Sequence, residues 1–165
     1  LEPTNPELRL RLGSAKYGEG KKSEAKEQFN VALRLKVNYL DAYIALAQYY
    51  DGEGDFDRSL IELEKGLGYG GRQDPNYLFQ IGRVHFNRNK GNDWDIARAS
   101  FALALSINPN HTNSLFSAGV LADRQGRRDE AVSYFEAVVK LDPNNPNIET
   151  VLKRLRQLKA VQDNQ

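Results

Sequence analysis

The six residues from Gly66 to Gly71 have the spacing G-x-G-x-x-G, which lets a backbone approach the phosphates of a dinucleotide. That chemistry requires a β-strand before the glycines and a helix N-terminus after them, where free N–H groups bind the anion. Here the motif follows the end of a helical pattern, and no strand-like pattern precedes it. The sequence therefore predicts a flexible linker, and we expect no nicotinamide cofactor to bind.

A run of acidic residues upstream has spacing similar to a calcium loop between two helices. The candidate ligands are Asp51, Glu53, Asp55, Asp57, Ser59 and Glu62. The sixth position of such a loop requires glycine for a sharp turn, and this sequence has Phe56 there. The eighth position, where an apolar residue is expected, is Arg58. We therefore expect no calcium at these residues.

The chain offers few candidate catalytic residues, because it has two histidines and no cysteine. His85 lies within a helical pattern, where we expect it to be packed and partly buried. His111 lies at a break between helical segments, and we expect it to be solvated. No nucleophile–base pair or ligand cluster is evident. The sequence predicts a protein that is not an enzyme and holds neither a metal nor a cofactor.

The composition and charge of the chain exclude further classes of function. Of 165 residues, 40% are hydrophobic and 27% charged, as in an ordinary soluble globular protein. The net charge of +1 provides no overall field that would attract nucleic acid or an anionic membrane. No apolar run approaches the roughly 18 residues of a membrane span. Methionine is absent and the chain starts at Leu1, so we expect either a piece of a longer protein or a processed protein.

The elements that would position any functional residue come from an internal repeat. Four triplets combine a small residue, a large apolar residue four positions later and a smaller one three later, which places all three on one helix face. They are Ala25/Phe29/Ala32, Ser59/Leu63/Gly66, Ala97/Phe101/Ala104 and Ala131/Phe135/Val138, spaced by 34, 38 and 34 residues. A second series precedes them: Leu12-Gly13, Leu46-Ala47, Ile81-Gly82 and Ala118-Gly119. A break rich in Gly or Asn separates the two series each time, so every unit is predicted to be helix, turn, helix.

This pattern resembles the tetratricopeptide repeat family, whose 34-residue unit contains a Leu-Gly pair, then Ala, Phe, Ala and a terminal Pro. The resemblance implies an all-α fold, a right-handed superhelical solenoid of helix-turn-helix repeats. The units would be residues 6–39, 40–73, 75–111 and 112–145, with Asp74 as one extra linker residue. Small residues let the paired helices approach closely, and stacked neighbours stabilise one another.

Residues 146–161 are predicted to form a capping helix that starts at Pro146, with residues 162–165 as a frayed tail. Its apolar stripe consists of Ile148, Val151, Leu152, Leu155 and Leu158. Its cations are Lys153, Arg154, Arg156 and Lys159. No aromatic residue interleaves with these cations, so we interpret them as the polar outer face of a cap rather than a nucleic-acid site.

The resemblance also implies a concave groove lined by the first helix of each unit, where a protein or peptide would bind. By register, the predicted partner-binding residues are Tyr17, Ile44, Gln48, Asn76, Phe79, Arg83, Phe86, Asn87, Phe116, Val120 and Arg124. The three phenylalanines fall outside the packing positions of the repeat, so they are either partner anchors or packing against neighbouring inner helices.

Some members of the family bind the C-terminal carboxylate of a heat-shock chaperone through lysine, asparagine and arginine side chains. The matching positions here are Leu10, Ser14, Ala45, Asn76 and Gln80, and none is a cation. We therefore expect a different ligand.

The function predicted from the sequence is a non-enzymatic scaffold that binds a protein or peptide in the groove. The alternatives are a structural or oligomerising module of a larger, membrane-anchored protein, and an RNA-binding helical repeat; nucleic acid is not expected. Membrane contact would come only through segments outside this sequence. We expect a soluble domain in the cytoplasm, with the soluble part of a membrane-anchored protein as the alternative.

Overall fold

The computed structural model describes residues 4–144 and 148–162, which contain nine α-helices and no strand. The helices are α1 (Pro6–Gly18), α2 (Lys22–Leu35), α3 (Leu40–Gly52), α4 (Phe56–Leu67), α5 (Pro75–Arg88), α6 (Asp93–Ile107), α7 (Thr112–Arg124), α8 (Arg128–Leu141) and α9 (Ile148–Gln162). A 3-10 turn, Gly71–Gln73, precedes α5. The predicted all-helical fold is confirmed. The predicted helix start at Pro146 and the tail residues 163–165 lie outside the described residues, and the unit boundaries stay a prediction.

Three helices begin at a residue whose side chain caps the first turn. The Asn5 side chain accepts hydrogen bonds from the first turn of α1, and Asp55 and Asp74 do the same for α4 and α5. The turns after α1, α3 and α7 each contain a glycine with φ between 72° and 77°, a left-handed conformation that releases the chain into the next helix. The turn after α5 contains two residues with positive φ, Asn89 with φ of 48° and Gly91 with φ of 58°.

Within each unit the two helices pack through the small and large residues of the repeat. A Cβ atom on Gly82 would lie 2.6 Å from the Phe101 ring, and one on Gly119 would lie 2.7 Å from the Phe135 ring. Glycine at these positions therefore allows the aromatic ring of the second helix to lie against the backbone of the first. The predicted contact between the two series is confirmed.

The helices form two layers. Each odd-numbered helix from α1 to α5 contacts the next odd-numbered helix as well as its even-numbered partner. Within the described residues, the even-numbered helices make no comparable contact with one another. The odd-numbered helices therefore form the inner, concave side of the array and the even-numbered helices the outer side. The last helix, α9, packs on α8.

The glycines of the G-x-G-x-x-G motif have a packing role. Tyr77 of α5 is fully buried, and its phenol donates a hydrogen bond of 2.7 Å to the carbonyl oxygen of Leu63 in α4. A Cβ atom on Gly66 would lie 2.0 Å from the Tyr77 Oη, and one on Gly71 would lie 2.6 Å from its ring. These two glycines leave room for an aromatic ring between α4 and α5.

Candidate functional site

The eleven residues predicted to bind a partner all lie on the inner helices. They are Tyr17 on α1, Ile44 and Gln48 on α3, Asn76, Phe79, Arg83, Phe86 and Asn87 on α5, and Phe116, Val120 and Arg124 on α7. Four of them are exposed, seven are half-buried and none is fully buried. The inner face therefore presents a continuous set of partly accessible side chains, the concave groove.

Half-buried aromatic rings form the floor of this groove on α5 and α7. The centroid of the Phe79 ring lies 6.1 Å from that of Phe101, and the Phe116 centroid lies 6.4 Å from that of Phe135. Phe86 packs against the buried cluster that contains Phe101. Each ring thus contacts the core on one side and remains partly accessible on the other. The rings therefore combine features of the two alternatives, which were partner anchors and packing residues.

Arg124 adds a positive charge beside this aromatic floor. Its guanidinium carbon lies 4.6 Å from the centroid of the Phe86 ring, a cation–π contact. Among the described residues, Arg124 forms no ion pair with a carboxylate. An exposed guanidinium held against an aromatic ring is suited to bind a carboxylate on a partner.

Charged and amide groups connect α3 to α5 across the groove. Arg83 Nη1 donates to the Asp51 carboxylate at 2.5 Å, and Asn87 donates to the same carboxylate at 3.3 Å. The side chains of Asp51 and Arg83 are 11% and 27% exposed, so solvent screens this pair only in part. The register predicted Arg83 and Asn87 to face the groove, but not that they would bind a carboxylate of the preceding unit.

His111 is buried, and the prediction that it is solvated is wrong. Its Nε2 lies 2.8 Å from Asn76 Oδ1 and its Nδ1 lies 2.7 Å from Ser114 Oγ. A neutral imidazole satisfies both contacts if Nε2 donates to the amide oxygen and Nδ1 accepts from the hydroxyl. The Phe79 ring packs edge-on against the imidazole, with centroids 5.7 Å apart. His111 therefore fills the junction between α5 and α7.

Because of this burial the pKa of His111 is lowered, with Asp74 acting weakly in the opposite direction. The unfolded chain then binds the proton at a higher pH than the folded chain does. The contribution of His111 to stability is therefore fully present above about pH 6.5 and falls as the pH is lowered through that value.

We expect the free energy of unfolding in urea to be lower at about pH 5.5 than at about pH 7.5, and His111→Gln to reduce that difference. Asn113→Gln, at an exposed position of α7, is the control, because it keeps the buried His111. An equal pH dependence in wild type and His111→Gln would contradict the prediction.

The groove also contains a cavity near its N-terminal end. It has a volume of about 140 Å³, lies between α1 and α3 and is lined by Ser14, Tyr17, Phe29, Ala45, Gln48 and Tyr49. The rings of Tyr17 and Tyr49 meet edge-to-face with centroids 6.1 Å apart. Tyr49 was not among the predicted groove residues. Tyr49 follows Gln48 directly and therefore lies off the helix face that carries the predicted groove residues. Its long side chain still reaches the cavity.

The candidate calcium ligands serve other purposes. Asp55 caps α4, Asp51 binds Arg83, and Asp57 accepts a hydrogen bond from Arg88. The described residues contain no group of three or more side chains placed to hold a metal ion. They also contain no helix both long and apolar enough to cross a membrane.

Residues 79–146 match the family model described as Tetratricopeptide repeat. The protein folds as a tetratricopeptide repeat array. Solved structures with the same fold include a thermophilic tetratricopeptide repeat protein of Thermus thermophilus, with a TM-score of 0.78 and 20% identity over 96% of this chain and 84% of that one. They also include YrrB, described as a tetratricopeptide repeat protein with an unusual peptide-binding site, with a TM-score of 0.68 and 20% identity over 95% and 77% of the two chains.

Among curated proteins, the chain is similar to human Protein O-mannosyl-transferase TMTC1, with 24% identity over 159 residues. The match covers 96% of this chain and 18% of that relative, so the chain spans less than a fifth of it. A likeness of this extent does not bring the transferase activity to this chain. The tetratricopeptide repeat fold is, in general, a non-catalytic scaffold that mediates contacts with proteins or peptides.

Proposed function

We propose that this array is a scaffold that binds a segment of another protein in its concave groove. The observation that carries the proposal is the row of half-buried rings on α5 and α7, with Arg124 held over one of them. Such rings provide the large apolar contacts that dominate protein interfaces. The peptide-binding site in the description of YrrB is consistent with this use of the fold.

The chemistry of the groove points to a segment with an acidic residue beside an apolar one. The apolar side chain would contact Phe79, Phe86 and Phe116, and the carboxylate would pair with Arg124. The exposed amides of Gln48, Asn76 and Asn87 have hydrogen-bonding capacity left for the backbone of an extended chain. The carboxylate is therefore expected to be recognised in the C-terminal half of the groove.

We expect the substitution Arg124→Glu to abolish capture of the partner, because it puts a repelling charge in place of a groove cation that pairs with no carboxylate in the described part of the chain. The experiment is a pull-down with the wild-type chain, Arg124→Glu and Arg128→Glu, quantified by mass spectrometry. Arg128 is exposed on α8, and its substitution changes the net charge by the same amount. Proteins retained by wild type and Arg128→Glu but reduced at least about tenfold with Arg124→Glu would support the proposal. Identical retention by all three chains would refute it.

A second prediction concerns the aromatic floor. Replacing Phe79 and Phe116 with Ser is expected to cost about 1.5–2.5 kcal/mol for each ring, half the cost of truncating a fully buried phenylalanine. The same double substitution should weaken binding of the partner that the pull-down identifies by about thirtyfold or more. Urea unfolding and a binding titration measure the two effects, with Ile61→Ser on the outer side as the control. Loss of stability with unchanged affinity would show that the rings are core residues only.

A further inference from the structure

The outer side of the array has a groove of its own between α4 and α6, with α5 as its floor. One cavity, of about 290 Å³, is lined by Leu60, Leu63, Glu64, Leu67, Ile81 and His85. A second, of about 360 Å³, is lined by Leu78, Asp95, Ile96, Ala99, Ser100 and Leu103. Both are broad depressions that are open to solvent rather than enclosed. The two cavities share one face of α5, because Leu78, Ile81 and His85 are separated by three and four residues. We call this surface the outer groove.

This surface is distinct from the concave groove. At about 100° per residue, the outer stripe of Leu78, Ile81 and His85 on α5 points roughly 130° away from the inner stripe that contains Phe79 and Phe86. A partner in the concave groove would therefore leave the outer groove accessible.

A buried aromatic ring and a 3-10 turn lie at the junction between α4 and α5. The Tyr77 ring is inserted between the end of α4 and the start of α5, where its phenol binds the Leu63 carbonyl oxygen. The segment between α4 and α5 is also long, because the turn Gly71–Gln73 interrupts it. One of the four extra residues between Ser59 and Ala97 lies in this segment, because Leu46-Ala47 and Ile81-Gly82 are 35 residues apart; the other three lie within the third unit, between Gly82 and Ala97.

Apolar side chains remain exposed along this groove. Leu103, which lines it, is 47% exposed, and Ile107 one turn later on α6 is 42% exposed. Single exposed apolar residues are ordinary, but these two lie beside an apolar depression that a partner can cover.

The charges around the outer groove decide which partner fits. Its two lining residues that carry a formal charge are both carboxylates, Glu64 and Asp95, and no lysine or arginine lines either cavity. Within the described part of the chain, Glu64 forms no ion pair. Asp95 pairs with Arg98 at 3.3 Å, and both side chains are more than half exposed. Replacing Arg98 in this pair by a cation of a partner therefore costs little free energy.

We propose that the outer groove binds an amphipathic helix of a partner protein, with an apolar stripe flanked by lysine or arginine. The lining residues of α4 run from Leu60 to Leu67 and those of α6 from Asp95 to Leu103, roughly 10–12 Å along each helix axis. That length accommodates about two turns of a bound helix, with anchors at positions i, i+3 or i+4, and i+7. Glu64 and Asp95, on opposite walls, would pair with cations on the two sides of the stripe.

The test uses two synthetic 14-residue helical peptides, one of leucine and lysine and one with glutamate in place of every lysine. Fluorescence anisotropy with the full chain is expected to give at least about tenfold tighter binding of the lysine peptide. Glu64→Lys combined with Asp95→Lys should abolish or reverse that preference. Glu130→Lys combined with Glu149→Lys, which changes the net charge equally at other exposed positions, should retain it. Equal affinity for the two peptides, or loss of preference in both double variants, would overturn the proposal.

Methyl NMR locates the bound peptide independently of affinity. The lysine peptide should shift the methyl signals of Ile81, Ile96 and Leu103 and leave those of Ile44 and Val120 in the concave groove unchanged. Shifts confined to Ile44 and Val120 would overturn the proposal. The proposal would also be overturned if the chain associates with itself and Leu103→Lys abolishes that association. A second copy of the chain would then occupy the outer groove. Failure here leaves the Arg124→Glu experiment unaffected, since that experiment concerns the other face.

Discussion

Removing α9 by ending the chain after Asn145 is expected to lower the midpoint of thermal unfolding by about 6–12 °C. Val151, Leu155 and Leu158 are 1%, 8% and 3% exposed, and they belong to the same buried cluster as Phe135 and Val138. Burying three aliphatic side chains contributes about 1.5–3 kcal/mol each, and the entropy of ordering α9 offsets part of that sum. A net loss of about 3 kcal/mol is a large fraction of the stability of a domain.

Polar contacts add to the attachment of α9. The Arg154 guanidinium donates two hydrogen bonds of 2.6 Å to the Asp123 carboxylate of α7, and Lys159 pairs with Glu136 of α8. The truncated chain would lose these contacts and expose the apolar end of the last unit. We therefore also expect concentration-dependent association of the truncated chain in sedimentation velocity.

A point variant tests the same contact in the full chain. Leu155→Ala should lower the free energy of unfolding by about 2–4 kcal/mol, whereas Arg156→Ala, at an exposed neighbouring position, should change it by less than about 0.5 kcal/mol. Equal midpoints for the truncated and full chains would mean that α9 folds independently of the repeats and is not a cap.

The substitution Asp93→Asn is expected to lower the free energy of unfolding by about 3 kcal/mol. The Asp93 carboxylate is 1% exposed and accepts hydrogen bonds from both Nε and Nη2 of Arg88, from His85 Nδ1 and from the backbone N–H of Lys90, all at 2.7–2.8 Å. Together these contacts hold the turn between α5 and α6, where Asn89 has a positive φ. The variant would leave the half-buried Arg88 with Asp57 as its remaining charge partner.

The lowered pKa of Asp93 determines how its contribution to the free energy of unfolding depends on pH. The hydrogen bonds from Arg88, followed by those from His85 and Lys90, hold the pKa of Asp93 well below its usual range, although burial opposes them. A depressed carboxyl pKa stabilises the fold above the pKa of the unfolded chain, and that stabilisation is lost as the pH falls. The difference in stability between wild type and Asp93→Asn should therefore be full at neutral pH and shrink below about pH 4.

The control for this substitution is Asp95→Asn. Asp95 lies in the same first turn of α6 but has a side chain 67% exposed, so its replacement should change stability by less than about 0.5 kcal/mol. Urea titrations of the three chains at neutral and acidic pH measure all of these effects. Comparable losses from Asp93→Asn and Asp95→Asn would mean that the charge of the first turn, and not the buried cluster, is responsible.

The helices and the packing within each unit could be predicted from the sequence. Gly82 lies under Phe101, and Gly119 under Phe135, as the spacing of small and large residues predicted. These contacts are predictable because they occur within one unit, where helical periodicity and a short turn fix which side chains meet. The resemblance to the tetratricopeptide repeat family, applied in that register, implied that Phe79, Phe116 and Arg124 lie on the inner helices.

The contacts between groups of different units could not be predicted from the sequence. The burial of His111 against Asn76, the pair of Arg83 with Asp51 and the insertion of Tyr77 between α4 and α5 join residues 14 to 35 positions apart. Their distances depend on the angle and separation of successive helix pairs, which follow from the packing of many side chains together and from the length of each connecting segment. The outer groove arises in the same way, since it is bounded by α4 and α6, two helices that face each other across α5.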